Sequence, residues 1–193
     1  MNKIRIADIK YNDTVNGEGL CVSVWFQGCD IRCPGCHNAH IWDENGGTKI
    51  EDTELHNIVI EALHKNNIMR NLSLLGGEPL SHNNIRHTLK LIDKVQATYP
   101  DIKIFLWTGY NFEYPHFFPF FLSERADLAI GREIMTKVDY IISGPFIQEQ
   151  KDLTLWLRGS RNQKVWKNLK NEKKYVIIDK NNKGEIVECQ KKQ

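Results

Sequence analysis

The sequence lacks the features that mark several specialised classes of protein. In its 193 residues, no run approaches the roughly 18 consecutive apolar residues of a membrane-spanning helix, so we expect no membrane association. Residues 1–10 contain no apolar segment followed by a small-residue cleavage site, and we expect no secretion signal. The formal net charge of +2 is too small to predict nucleic-acid binding by itself. A chain of this length and ordinary composition can bury a core without disulfide bonds.

Cysteine is scarce and unevenly placed. The five cysteines are Cys21, Cys29, Cys33, Cys36 and Cys189. An odd number in a chain without a secretion signal argues against a disulfide framework and predicts a cytoplasmic protein. Cys21 lies in an apolar run and is expected to be a small core residue. Cys189 lies near a basic tail and is expected to be exposed and without a role. The other three fall within eight residues and need a chemical explanation.

Charge is divided unequally along the chain. Residues 1–150 carry 14 Lys and Arg against 19 Asp and Glu, whereas residues 151–193 carry 12 against 5. The basic segment is interpreted either as a solvated face or as a docking surface for an acidic protein partner. The length predicts a single domain over residues 1–193, with a core of about 1–150 and a short basic C-terminal extension.

Predicted strands and helices alternate along the chain. Strands are predicted at residues 4–10, 20–27, 72–75, 102–107, 138–143 and 175–179, the last in a hairpin with 185–189, and helices at 52–65 and 81–98. This alternation predicts an α/β fold with a mostly parallel sheet. Nine aromatic residues lie between positions 105 and 121 without interleaved basic residues. We interpret them as a hydrophobic cap or a core-facing helix, and we expect no nucleic-acid partner.

Three segments rich in glycine or cysteine each follow a predicted strand. They are residues 28–38, 76–79 and 108–110. In parallel sheets, ligands bind beyond the carboxyl ends of the strands. We therefore expect the three segments to converge on one edge of the sheet and to form a single site.

The clustered cysteines have the spacing C-x3-C-x2-C, formed by Cys29, Cys33 and Cys36. A structural zinc ion requires four ligands, and the sequence has no second cysteine pair. His37 is adjacent to Cys36, and neighbouring side chains in an extended loop point apart. A [4Fe–4S] cluster normally takes four thiolates, so three thiolates leave one iron open for chemistry.

A second motif is formed by residues 75–79, with the sequence Leu-Gly-Gly-Glu-Pro. After a strand, Gly76 and Gly77 allow the backbone to approach a ligand closely. Backbone carbonyls and the Glu78 carboxylate are suitable acceptors for an ammonium group. Taken alone, the motif is equally typical of a plain turn between a strand and a helix.

Together these motifs resemble those of the radical S-adenosylmethionine (SAM) enzymes. The resemblance implies a partial, open β/α barrel of TIM type and a [4Fe–4S] cluster whose open iron is chelated by SAM. One electron from the cluster then cleaves SAM to methionine and a 5′-deoxyadenosyl radical. The implied cluster ligands are Cys29, Cys33 and Cys36. The implied SAM-binding residues are Gly35, Cys36, His37, Gly76, Gly77 and Glu78.

Within this superfamily, the chain resembles the activating enzymes of anaerobic (class III) ribonucleotide reductase. The matching segments are residues 15–19, 28–38, 76–79, 107–110, 138–140 with 144–146, and 158–163. The pair 138–140 with 144–146 and the segment 158–163 are the most specific. The resemblance implies that the large catalytic subunit of that reductase is the partner. The deoxyadenosyl radical would abstract hydrogen from one of its glycines, and a reduced flavodoxin-type protein would donate the electron. No side chain then needs to act as a general acid or base.

The chain departs from the common pattern around its third cysteine, and the roles of two arginines remain open. Many radical SAM proteins have an aromatic residue just before the third cysteine, where this chain has Gly35. His37 follows that cysteine and is predicted to take the aromatic role near adenine. Arg158 and Arg161 are interpreted either as contacts to the partner or the SAM carboxylate, or as parts of a structural turn.

Three other functions compete with this interpretation. The first is a small-molecule radical SAM enzyme such as 7-carboxy-7-deazaguanine synthase, against which residues 158–163 argue. The second is the activase of pyruvate formate-lyase, which performs the same chemistry on another glycine. The third is a non-enzymatic zinc-binding interaction module.

Overall fold

The computed structural model describes residues 3–111, 125–181 and 183–189 as a mixed α/β fold with one open sheet. The strands are β1 (Lys3–Asp13), β2 (Cys21–Phe26), β3 (Thr48–Glu51), β4 (Asn71–Gly76), β5 (Ile104–Thr108), β6 (Tyr140–Ser143), β7 (Lys164–Leu169), β8 (Lys174–Lys180) and β9 (Ile186–Glu188). The α-helices are α1 (Asp52–Leu63), α2 (Ile85–Thr98) and α3 (Arg125–Lys137). Most of the predicted aromatic segment, residues 112–121, lies outside the described residues.

The sheet has a parallel centre and antiparallel flanks. Its strand order is β3-β1-β2-β4-β5-β6-β7-β8-β9, and β2, β4, β5 and β6 are parallel to one another. The other pairings are antiparallel. The prediction of a mostly parallel sheet was therefore wrong. Strands β7, β8 and β9 are joined by short turns, which suit antiparallel neighbours, whereas parallel strands need longer crossovers.

Three helices cover one face of the sheet and bury the larger core. The predicted apolar stripe of α1 includes Leu55 and Val59, and that of α2 includes Ile85 and Ile92; all four side chains are buried. They pack against alternate residues of the central strands, such as Leu74 of β4. Helix α3, β3 and β7 have no counterpart among the sequence predictions, because none carries a clear apolar period.

The opposite face of the sheet is partly covered by the C-terminal segment. Phe105 and Tyr140 stack with ring centroids 4.6 Å apart, and Trp156 and Leu157 pack against the same cluster. The indole Nε1 of Trp107 donates a hydrogen bond to the Leu157 carbonyl at 3.3 Å. Strands β7, β8 and β9 thus place the basic segment within the same sheet as the core. Among the described residues, no helix is both long and apolar enough to cross a membrane.

Candidate functional site

The loops that follow β2, β4 and β5 meet at the carboxyl edge of the parallel strands. The Glu78 amide donates to the Gly28 carbonyl at 2.8 Å. The Gly109 amide donates to Glu78 Oε2 at 2.9 Å. The Tyr110 hydroxyl donates to Asp30 Oδ2 at 2.7 Å. The predicted convergence of the three segments is confirmed.

Gly76, the last residue of β4, and Gly77 after it allow their backbone to touch the end of β2 and the residues that follow it. A Cβ atom on Gly77 would lie 2.0 Å from the Gly28 carbonyl oxygen. A Cβ atom on Gly76 would lie 2.7 Å from the Phe26 nitrogen, and Gly76 also has a positive φ of 108°. These glycines therefore permit close approach to the cysteine loop itself, defined as residues 28–38.

Glu78 ties the three loops together. Its side chain is 1% exposed, and its Oε1 accepts hydrogen bonds from the Leu80 amide and the Thr108 hydroxyl, both at 2.9 Å. Its Oε2 accepts from the Gly109 amide. Burial raises the pKa of Glu78 to about 8, and these hydrogen bonds oppose that rise. The carboxylate proposed as an ammonium acceptor thus already has three donors from the protein.

The cysteine loop folds back on the segment that follows it. The amides of Gly28 and Cys29 donate to the carbonyls of Ile41 and Trp42 at 2.9 and 3.2 Å. Gly35 has a φ of 73°, which glycine adopts without strain. The backbone of the loop is therefore held in part by hydrogen bonds to the segment that follows it.

Backbone amides point at the sulfur atoms of this loop. The Asn38 amide donates to Cys36 Sγ at 3.4 Å. Burial raises the pKa of the Cys29 thiol to about 11, and the backbone amides of Arg32 and Ile31 act in the opposite direction. Burial also raises the pKa of the Cys33 thiol, and the backbone amide of Phe146, from a different loop, opposes that rise. Because such donors stabilise thiolates, the surroundings suit a thiolate-bound group.

The chemistry of the three thiols fits a cluster. Cys29, Cys33 and Cys36 are free and half-buried. In a [4Fe–4S] cluster each thiolate binds a different iron. The donor set therefore fits a cluster with three protein ligands.

The loop after β6 completes the surroundings of the cysteine loop. Gln148 packs against Gly35 so closely that a Cβ atom there would lie 2.6 Å from Gln148 Oε1. The Gly144 amide donates to the carbonyls of Thr108 and Tyr110 at 3.1 and 3.0 Å. Sequence reasoning missed Gln148, which carries no signal beyond its place after a strand, whereas Phe146 lies in the matching segment 144–146.

The two arginines of the 158–163 motif differ in their surroundings. The Arg158 side chain is 11% exposed and forms an ion pair with Asp179. The Arg161 side chain is 71% exposed, and its Nε lies 3.2 Å from Asp152 Oδ2. The Arg158 contact favours the structural turn over a contact to the partner or to SAM, and the roles of both arginines stay predictions.

Several motif residues lie away from this edge. Residues 15–19 precede β2 and lie at its amino end, where the Ser73 hydroxyl donates to the Asn16 carbonyl.

Cys21 is fully buried at the start of β2, as predicted. Cys189 is half-buried, and its amide donates to the Ile177 carbonyl at 2.8 Å. The expectation that Cys189 is exposed was wrong, because β9 extends the sheet up to this position.

His37 lies on the rim of the cysteine loop. Its side chain is exposed and borders an open cleft of about 460 Å³. Trp25 and Lys10 also line the cleft, with the Lys10 Nζ 4.7 Å from the centre of a Trp25 ring. The predicted role of His37 near adenine stays a prediction.

Comparison with known protein families shows which class of protein this chain belongs to. The family model described as a 4Fe-4S single cluster domain matches residues 15–166, most of the chain. The chain therefore belongs to this iron–sulfur family. Within that class, it belongs to the family of anaerobic ribonucleoside-triphosphate reductase-activating proteins, as the following similarities show.

This chain matches proteins of that name over nearly their whole length. The protein from Vibrio cholerae is 34% identical over 154 residues, which cover 79% of this chain and 91% of the relative. The Escherichia coli K12 protein is 32% identical, with 79% and 92% covered. The Enterobacteria phage T4 protein is 33% identical over 156 residues, with 81% and 89% covered. The resemblance to activating enzymes with a [4Fe–4S] cluster is thereby confirmed.

A solved structure also matches more distantly. The crystal structure of QueE from Escherichia coli superimposes with a TM-score of 0.46 at 15% sequence identity, covering 76% of this chain and 61% of that chain. Nothing about substrate or mechanism follows from a similarity of this size.

Proposed function

We propose that this protein is a radical SAM enzyme that installs a glycyl radical in the large catalytic subunit of an anaerobic ribonucleotide reductase. The observation that carries the proposal is the hydrogen bond from the Glu78 amide to the Gly28 carbonyl, which joins the Gly-Gly-Glu motif to the cysteine motif. The chain also belongs to the activating-protein family, which supports the same function. Each motif alone is ambiguous, whereas the two in contact define one site.

Cys29, Cys33 and Cys36 would hold the [4Fe–4S] cluster, and SAM would complete its coordination. When bound, the cluster supplies the single electron that cleaves the sulfonium of SAM. The Asn38 amide donates to Cys36 Sγ, and the amides of Arg32 and Phe146 oppose the rise that burial causes in the pKa of the Cys29 and Cys33 thiols. These amides hold the thiolates in place and lower the cost of their charge.

The residues around the cluster loop would bind and orient SAM. Gly77 brings the backbone after β4 against the Gly28 carbonyl of the cysteine loop, and the carbonyl groups of Gly76 and Gly77 would be available to the amino group of SAM. Glu78 fixes this backbone through Thr108 and Gly109. Gly35, Cys36 and His37 line the opposite side of the SAM site. These residues would thus serve to bind and orient SAM, because the reaction needs no general acid or base from the chain.

We further propose that the fold is an open barrel of the radical SAM type and forms a single domain. The four parallel strands and the helices on one face support the barrel interpretation. The continuous sheet from β3 to β9 supports a single domain that includes the basic segment 151–193.

A reduced flavodoxin-type protein is the proposed electron donor, and the cytoplasm the proposed compartment. Residues 151–193 carry 12 basic against 5 acidic residues, a balance that attracts an acidic donor. All five cysteines are free, as expected in a reducing compartment. Nucleic acid and membrane are not among the proposed partners.

Electron paramagnetic resonance (EPR) tests the proposed function. The protein is reconstituted anaerobically with iron and sulfide, reduced, and mixed with SAM and the large reductase subunit. We expect a glycyl radical on the reductase, with methionine and 5′-deoxyadenosine formed alongside. A radical formed only on pyruvate formate-lyase, or turnover of the pterin substrate of deazaguanine synthesis, would contradict the proposal.

A further inference from the structure

Tyr110 ends the matching segment 107–110, and the proposed function gives its side chain no role. The side chain is 5% exposed and packs in the larger core. Its hydroxyl donates to Asp30 Oδ2 at 2.7 Å. Asp30 follows Cys29 directly in the cysteine loop. The phenol therefore joins the loop after β5 to the cysteine loop, beside the first of the three cysteines.

The backbone of Tyr110 is itself held by neighbouring loops. Its amide donates to the Thr108 hydroxyl at 3.1 Å, and its carbonyl accepts a hydrogen bond from the Gly144 amide at 3.0 Å. The Thr108 hydroxyl in turn donates to Glu78 Oε1. The loops after β4 and β6 thus fix the position of Tyr110, and with it the position of the hydroxyl that binds Asp30.

Residues 30–32 separate the first two cysteines of the loop, and the segment after β5 restrains them. A Cβ atom on Gly109 would lie 2.5 Å from Ile31 Cδ1, so these two residues are in close contact. Ile31 also packs against the larger core. Arg32 has a positive φ of 48°, a conformation that is unfavourable for residues other than glycine. Contacts at the two residues before Arg32 therefore help to hold the backbone of this turn.

We propose that Tyr110 is a positioning residue that secures the cluster by holding the cysteine loop through Asp30. This inference rests on the proposed function, since it requires a cluster on Cys29, Cys33 and Cys36. Holding a loop in its bound conformation strengthens binding, because less conformational freedom is lost when the group binds. Groups that orient metal ligands from outside the ligand set typically contribute about 10–100-fold in metal affinity. Loss of the Tyr110 hydroxyl should therefore let the cluster dissociate faster.

The test is the rate at which the anaerobically reconstituted protein loses its cluster to excess EDTA, followed by visible absorbance. Tyr110→Phe removes only the hydroxyl, and Asp30→Ala removes its acceptor at an exposed position. We expect cluster loss to be about tenfold faster in each variant. The double variant should be no faster than either single variant, because both substitutions remove the same hydrogen bond.

Two controls separate positioning from a general loss of stability. Asp30→Asn keeps an acceptor oxygen, and its rate should stay within about twofold of the wild-type rate. Tyr175→Phe removes a hydroxyl that donates to the Met135 carbonyl near the end of α3, just before β6 begins. Its rate should also stay close to that of the wild type. Unfolding of each metal-free variant by urea is measured alongside.

The possible outcomes distinguish this inference from the proposed function. Cluster loss from Tyr110→Phe at the wild-type rate would overturn the inference and leave the proposed function intact. Rates that follow the unfolding stability of the variants, rather than the presence of the hydrogen bond, would also overturn it. If Tyr110→Phe failed to fold, the exposed Asp30→Ala would decide the inference by itself. Wild-type protein that assembles no cluster would instead contradict the proposed function.

Discussion

Replacing Cys33 with alanine is expected to reduce SAM cleavage to background. The substitution removes one of three proposed cluster ligands and leaves a second iron without a protein thiolate. Cleavage is measured as 5′-deoxyadenosine released per protein under reducing, anaerobic conditions. Cys29→Ala and Cys36→Ala should behave in the same way.

Two other cysteines provide matched controls for this experiment. Cys21 is buried at the amino end of β2, and Cys189 follows β9, so neither lies at the carboxyl edge of the central strands. Cys21→Ala leaves a small cavity that costs about 1 kcal/mol of unfolding free energy and should retain cleavage. Cys189→Ala should also retain it. Substantial cleavage by Cys33→Ala would refute the assigned ligand set.

Replacing Gly77 with alanine is expected to separate the two central loops of the site. The added Cβ atom would lie 2.0 Å from the Gly28 carbonyl oxygen, and both partners are backbone, so neither can move aside alone. The hydrogen bonds that Gly77 and Glu78 donate to Phe26 and Gly28 would then be strained or lost. We expect the free energy of unfolding to fall by about 3 kcal/mol, as measured by chemical denaturation.

Gly184→Ala is the matched control for this steric argument. Gly184 lies in the turn before β9, where a Cβ atom would meet nothing within 4 Å. Its positive φ of 78° limits the expected cost to about 1 kcal/mol. If Gly77→Ala lost no more stability than Gly184→Ala, the close contact between the Gly-Gly-Glu and cysteine loops would be contradicted.

The convergence of the site could be predicted because it follows from local signals. Each motif comes directly after a strand with an apolar pattern, and parallel strands end on the same edge. The placement of the cysteine loop beside residues 76–78 therefore needed no knowledge of long-range contacts. The parallel order of β2, β4 and β5 in the structure bears this out.

The tertiary roles of individual side chains could not be predicted in the same way. Glu78 meets Thr108 and Gly109 about thirty positions further along the chain, and no local pattern indicates this pairing. Arg158 pairs with Asp179 because β8 brings the carboxylate back beside the motif. The antiparallel flank from β6 to β9 depends on the pairing of β7, which has no apolar alternation of its own. Such features depend on tertiary contacts between distant segments.

The most direct test of the account is electron–nuclear double resonance on the reduced protein with SAM labelled with ¹⁵N in its amino group and ¹⁷O in its carboxylate. If Cys29, Cys33 and Cys36 leave one iron open, both labels should show hyperfine coupling to the cluster. The same coupling should be absent without reconstituted iron and sulfide. A four-iron cluster that binds SAM without coupling to either label would contradict the central claim, because every iron would then be closed to SAM.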